Sequence, residues 1–355
     1  MKLEDLGYNN QFETFRKDNG LDVFDVGRIS AEHKERYVVK TEEGEYQAEI
    51  TGNMRYAAQT REDFPAVGDW VAMNVFDDLA IIHKIYPRYS AIKRQAVGHH
   101  ADVQIIATNI DFAFIIQAAD RDFNLNRLER YLTLCHASGV KPIIVLNKID
   151  LIEETIKTEL LDLVQKRVND VPVIALSNET GAGLHEIRDF ILKGKTYCLL
   201  GSSGVGKSTL LNNLAEEDLM KTELIGEGTQ RGKHTTSHRE LIVLPEGGIL
   251  IDNPGMREVG IGDAGGGLEV TFDEIVDLSA GCKFKDCTHT SETGCAVIDA
   301  VENGEIDEQA YENYLKMERE KDHYESTVAE RRKKDKAFGK MVKSMKKDYK
   351  KMDKR

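Results

Sequence analysis

The sequence predicts a multidomain α/β protein with an N-terminal β-barrel, a parallel sheet covered by helices, a small cysteine and histidine module, and a basic helical tail. Three observations carry that prediction. Residues 22–87 hold five short β-rich runs, apolar strand-sized runs alternate with helical periods from about residue 101, and Cys282, Cys287, His289 and Cys295 crowd into 14 residues. At 355 residues the chain exceeds one ordinary core, so two or three domains are expected.

The five runs, at 22–29, 36–41, 45–51, 69–75 and 79–86, are separated by Gly- or charge-bearing turns, which predicts a barrel of the OB or SH3 type over residues 1–95. Such barrels bind RNA in some proteins and act as plain adaptors in others, so the strands alone choose no function.

Charged residues make up 31% and hydrophobic ones 41%, the balance of a globular chain and not of a disordered or fibrous one. Met1-Lys2-Leu3-Glu4-Asp5 has no apolar leader character, and apolar runs such as 112–116 are too short to span a bilayer, so a cytoplasmic protein without membrane contact is expected. Five cysteines, three of them crowded, fit metal ligation in a reducing compartment better than a disulfide frame. Cys135, in a helical period, and Cys198, in a strand, read as core residues. The net charge of −13 argues against nucleic acid until its distribution is seen. Residues 331–355 carry 13 Lys or Arg against three Asp, a local +10 that leaves −23 on residues 1–330. A segment of that density neutralises phosphates whatever the sign of the whole chain.

Strands are predicted at 112–117, 142–146, 172–176, 196–200, 241–244 and 248–251, with helices over 126–137 and 151–168. That rhythm is the βαβ signature of a parallel sheet. Gly201-Ser202-Ser203-Gly204-Val205-Gly206-Lys207-Ser208-Thr209 fits the phosphate-loop pattern and lies between an apolar strand and a helical run, where such a loop must be. Its backbone N–H groups would converge on phosphates at a helix N-terminus, Lys207 would supply a point charge, and the Ser208 hydroxyl would reach Mg²⁺.

The choice of base falls to Asn147-Lys148-Ile149-Asp150, at the C-terminal end of the 142–146 strand. Alone, this tetrapeptide is often no more than a helix cap. Beside a phosphate loop it selects guanine, because the Asp150 carboxylate accepts from guanine N1–H and the 2-amino group, whereas adenine would leave it unpaired. Lys148 would lay its stem over the base, Asn147 would tie this loop to the phosphate loop, and Ser177-Asn178 would back the base. Asp252-Asn253-Pro254-Gly255 fits D-x-x-G, with Asp252 holding Mg²⁺ through water and the Gly255 N–H sensing the γ-phosphate. His234-Thr235-Thr236 lies between these motifs, and one of the two threonines is expected to close the Mg²⁺ shell around GTP. Met256 stands where many GTPases carry the glutamine that orients water, so slow intrinsic turnover is expected, with His234 the candidate for that task.

The motif order is therefore circularly permuted relative to a Ras-like domain. The same sheet forms if the old termini are joined near residues 193–195 and the chain is opened after D-x-x-G, which gives a permuted P-loop GTPase domain over 96–278. The chain beyond D-x-x-G then hangs on the element that moves with nucleotide state.

Three thiolates and an imidazole at Cys282, Cys287, His289 and Cys295 suffice for a closed, structural Zn²⁺ site. The interleaved Lys283, Lys285, Asp286, Thr288, Thr290 and Glu292 make the stretch too polar for a core. A zinc module over 279–320 and a basic helical tail over 321–355 complete the expected domains. In the tail Phe338, Met341, Met345, Tyr349 and Met352 form one apolar stripe on a basic surface, suited to RNA phosphates, an acidic membrane or the protein itself.

This ordered set resembles the small ribosomal subunit biogenesis GTPases of the RsgA, or YjeQ, family over nearly the whole chain. Asn109-Ile110-Asp111 and Arg130-Tyr131-Leu132 also look like that family's stretch ahead of the base motif. The resemblance implies a monomeric GTPase that binds the maturing small subunit in its GTP state, contacts 16S rRNA through barrel and zinc module, and leaves on hydrolysis. Asn253, and Thr293 before Gly294, depart from the family pattern at positions that supply no ligand.

Overall fold

The computed structural model describes residues 1–33, 36–95, 103–120, 123–168, 170–216, 240–252 and 266–325. His234, Thr235, Thr236, Gly255, Met256 and the stripe of the basic tail lie outside the described residues. By contacts these residues part into two compact units, 1–252 with 266–273, and 274–325.

The first unit opens with a helix that periodicity does not single out. The Asn9 side chain accepts from the Gln11 and Phe12 amides and so caps α1 (Asn10–Asp18). Five strands come next: β1 (Asp25–His33), β2 (Arg36–Lys40), β3 (Glu45–Ile50), β4 (Trp70–Phe76) and β5 (Leu79–Ile85), with α2 (Gly52–Ala57) between β3 and β4. Their order is β1-β2-β3-β5-β4, and β4 pairs back onto β1, so the edges close into the expected barrel. Its interior is filled by Ile29, Tyr37, Val39, Val71, Met73 and Ile82. β1 starts three residues later than the β-rich run because Val23, 79% exposed, lies in the turn before it. Leu6 and Phe12 cover the opposite faces of β1 and β4 together with Val26, Trp70 and Tyr86, forming a second, aromatic core.

An antiparallel pair, β6 (Ala91–Gln95) with β7 (Val103–Thr108), precedes the α/β sheet. Then come β8 (Phe112–Ala118), α3 (Leu125–Ala137), β9 (Lys141–Asn147), α4 (Glu154–Arg167), β10 (Val173–Ala175), α5 (Leu184–Asp189), β11 (Thr196–Leu200), α6 (Lys207–Ala215), β12 (Glu240–Val243), β13 (Ile249–Asp252) and α7 (Gly267–Thr271). The spatial order is β10-β9-β8-β11-β13-β12, parallel throughout except for β12. Apolar side chains fill both faces of this sheet, as parallel strands require.

Barrel and sheet are joined by hydrogen bonds. Glu240 on β12 pairs with Ala31 on β1 and with Asp252 on β13. Beside this seam Arg28 is 1% exposed, and its guanidinium donates to the carbonyls of Leu6 (2.6 Å), Gly68 (3.1 Å) and Asn109 (3.1 Å). Burial pulls its pKa down to about 10, yet three acceptors keep the cation satisfied. Gly68 has φ +98°, and a Cβ there would stand 2.2 Å from the Thr108 carbonyl oxygen, so a side chain would force the two layers apart.

The second unit holds all but the first residue of α8 (Asp273–Ser279), with α9 (Ala296–Glu302) and α10 (Glu308–Glu325), around a few buried residues, among them Ile275, Val297, Ala300 and Met317. Among the described residues no helix is long and apolar enough to cross a membrane.

Candidate nucleotide and metal sites

β11 is buried at every position and delivers the chain into the phosphate loop at Gly201. A Cβ at Gly201 would sit 2.3 Å from the Ile116 carbonyl oxygen on β8, so the loop leaves the sheet too close to its neighbour for any side chain. Gly204 and Gly206 have φ of +83° and +97°, which turns the loop back into the N-terminus of α6. Val205 is buried beneath it, and Ser208 and Thr209 come after Lys207 in the first turn of α6. The Lys207 ammonium donates to the carbonyls of Gly201 (2.7 Å) and Ser202 (2.5 Å), curled over the loop it would serve.

The base loop abuts this one. Asn147, at the end of β9 and 1% exposed, donates from Nδ2 to the Val205 carbonyl at 2.7 Å and accepts at Oδ1 from the Asn178 amide at 3.3 Å. Asn178 in turn donates to the Gly206 carbonyl at 3.0 Å, and Asn213 of α6 donates to the Asn178 carbonyl at 3.2 Å. Three side-chain amides thus lace base loop, backing loop and phosphate loop together without charge. A Cβ at Gly206 would lie 2.3 Å from Asn147 Nδ2, so the glycine is also demanded by that lacing.

Lys148 adopts φ +64°, and its ammonium lies 3.5 Å from the Asp120 carboxylate at the end of β8. The Ser177 hydroxyl, fully buried, donates to Asp150 Oδ1 at 2.6 Å and holds the carboxylate in one orientation. Asp252 ends β13, next to β11, with 9% exposure. Asn147, Lys148, Asp150, Ser177 and Asn178 therefore meet residues 201–209 at the C-terminal edge of the parallel strands, where ligands bind in such sheets. Sequence reasoning misses Asn213, because nothing in its helical setting signals its part.

In the second unit the donor atoms of Cys282, Cys287, His289 and Cys295 all lie within 4.8 Å of one another. His289 Nδ1 is 3.6 Å from Cys282 Sγ and 3.3 Å from Cys295 Sγ, and those two sulfurs are 3.8 Å apart. Four ligands at zinc bond lengths span tetrahedral edges of about 3.4–3.8 Å, so Cys282, His289 and Cys295 stand near that spacing, and with Cys287 the donor set is consistent with zinc. Glu292 braces the loop that carries His289: its carboxylate accepts from the Thr288 hydroxyl and amide and from the Thr290 and Ser291 amides. Those bonds, the Thr288 hydroxyl foremost, hold it well below the usual carboxylate range. Cys135 and Cys198 are fully buried, and burial pushes both thiols up, as suits core residues.

A family model described as RsgA GTPase matches residues 85–262, and a second, described as a 50S ribosome-binding GTPase, matches residues 196–329. The chain is 46% identical over 86% of its length to "Small ribosomal subunit biogenesis GTPase RsgA 2" of Lactiplantibacillus plantarum, covering 85% of that protein. It is 40% identical over 88% of its length to "Small ribosomal subunit biogenesis GTPase RsgA 1" of Oceanobacillus iheyensis, covering 90% of that protein. Among solved structures it resembles YjeQ from Thermotoga maritima (TM-score 0.62, 26% identity, 84% of this chain and 98% of that one). It also resembles YloQ, titled a circularly permuted GTPase (TM-score 0.60, 26% identity, 86% and 97%). With a base loop and a phosphate loop laced together in permuted order and relatives of this identity along its length, the chain belongs to the RsgA GTPase family and is a GTP hydrolase.

Proposed function

We propose that the protein binds the small ribosomal subunit, acts late in its maturation, and is released when GTP is hydrolysed. The observation that carries this reading is the similarity along nearly the whole chain to relatives named for small-subunit biogenesis, and the Asn147 to Val205 hydrogen bond supports its nucleotide half. In it Asp150 reads guanine, Lys148 covers the base, and Ser177 and Asn178 back it. The loop from Gly201 through Ser202, Ser203, Gly204, Val205 and Gly206 to Lys207 cradles the phosphates. Mg²⁺, when bound, neutralises charge on the phosphates, and Ser208, Asp252 and either Thr235 or Thr236 would hold it, with Thr209 beside them and Gly255 sensing the γ-phosphate. His234 is proposed to orient the attacking water in place of the glutamine that Met256 replaces.

In this reading the domains are an OB-like barrel over 1–95, the permuted GTPase domain over 96–278, a module over 279–320 held by one structural zinc, and the basic tail over 321–355. Barrel, zinc module and tail contact 16S rRNA, and the protein works as a cytoplasmic monomer. The +10 of residues 331–355 supports RNA as the tail's partner. The test is GTP turnover with purified small subunits, large subunits or free rRNA. Stimulation by small subunits alone is expected; equal stimulation by large subunits would overturn the reading. Turnover that no ribosomal particle alters would favour a nucleotide-gated RNA-binding module.

A further inference from the structure

One cation reaches the phosphate loop from a part of the chain that no motif marks. α3 begins at Asn124, whose side chain accepts from the Arg127 amide at 2.9 Å. Gln117, on β8 and 1% exposed, grips that same cap from below: its Nε2 donates to the Asn124 carbonyl at 3.1 Å and its Oε1 accepts from the Asn124 amide at 3.0 Å. A buried amide that satisfies both backbone groups of a helix cap fixes where the helix starts. The first turn of α3 is thereby set against the strand that flanks β11, and Arg127 Nη1 donates to the Ser202 hydroxyl at 2.7 Å. Ser202 is thus held by two cations, through its carbonyl by Lys207 and through its hydroxyl by Arg127.

We infer that Arg127 is a positioning residue of the nucleotide site: through the Ser202 hydroxyl it sets the first half of the phosphate loop and keeps a second positive charge beside the gathered phosphates. The inference rests on the reading of residues 201–209 as the phosphate cradle. A guanidinium suits the task because it stays protonated and holds its donors in a fixed plane, whereas a lysine would offer the charge without that geometry. Repulsion among phosphates grows with their number, so the contribution of Arg127 should rise from GMP to GDP to GTP. A contact that only stiffened the fold would weaken all three alike.

The experiment measures affinities of the full chain for GTP, GDP and GMP in wild type, Arg127→Gln, Arg127→Lys, Ser202→Ala and the double variant Arg127→Gln/Ser202→Ala. Arg127→Gln is expected to lose about tenfold for GTP, less for GDP and little for GMP, with partial recovery in Arg127→Lys. Ser202→Ala leaves α3 untouched and should lose a similar factor, and the double variant should lose no more than Arg127→Gln alone. Equal losses for all three nucleotides, or additive losses in the double variant, would overturn the inference. Tight GTP binding that Arg127→Gln leaves unchanged sinks the inference alone, whereas wild type that fails to bind GTP sinks the phosphate-cradle reading beneath it.

Discussion

The nucleotide site and the Cys/His module solve the same problem, holding loops in place, by opposite means. Around the nucleotide site the sheet does the work. β8, β9 and β11 are almost wholly buried, and the loops at their ends are joined by neutral side-chain amides over 2.7–3.2 Å. Among the described residues the module has few buried apolar side chains, and it gathers three thiols and an imidazole to within 4.8 Å of one another. A small core does little to offset the entropy of ordering such a loop, and the proposed zinc would supply the difference. The nucleotide loops are thus held by the sheet and by one another, whereas the Cys/His loop leans on the four donors it gathers.

The largest expected effect breaks this comparison at its weaker side. Chelation, or Cys282→Ser, should strip amide-exchange protection from residues 274–325 while β8, β9, β11 and β13 keep theirs. Structural zinc binding of about 10–16 kcal/mol is coupled to folding in small modules, so the loss should be complete and not graded. A module that retains its protection without metal would show that its apolar residues suffice.

Legibility in the sequence divides along the same line. Residues bound to ligand chemistry must recur at fixed spacing, and so the phosphate loop, the base tetrapeptide and the Cys/His set can be read directly. The barrel strands are legible because their side chains alternate toward a closed interior. Residues that serve only as joints are not. Nothing in the sequence marks Arg28, which is buried where the Leu6, Gly68 and Asn109 carbonyls meet around it. The short capped helix α1 has too few turns for a period to emerge, although Phe12 closes an aromatic core. β12 is predicted as a strand, but its pairing to β1 across more than 200 residues has no local signature.

At the nucleotide site the effects should fall on the ligand and spare the fold. Asp150→Asn turns one of the two carboxylate acceptors into an N–H that faces guanine's own donors, costing about 3 kcal/mol, roughly a hundredfold in GTP affinity, with the midpoint of thermal unfolding almost unchanged. The amide would instead offer a donor to a base carrying oxygen at position 2, so xanthine nucleotides should gain. A large drop in thermal stability would mean that Ser177 and Asp150 form a structural pair. Gly206→Ala sets a methyl 2.3 Å from Asn147 Nδ2 at a φ of +97°, which strains the backbone and pries apart the lacing. About 2 kcal/mol, roughly thirtyfold in GTP and GDP affinity alike, is the expected loss.

The smallest effect is the most informative about how the loops are held. Asn213 lies on α6, behind the loop it supports, and reaches the Asn178 carbonyl at 3.2 Å. Asn213→Ala removes a neutral amide donor shared between the Asn178 carbonyl and, at 3.4 Å, Asn178 Oδ1; at about 1 kcal/mol, nucleotide affinity should fall roughly fivefold. Because Asn178 also donates to Gly206, the loss should nearly vanish in an Asn178→Ala background, where the lacing is already cut. If the two substitutions instead add, each amide supports the nucleotide independently, and the base and phosphate loops are held by the sheet ends alone.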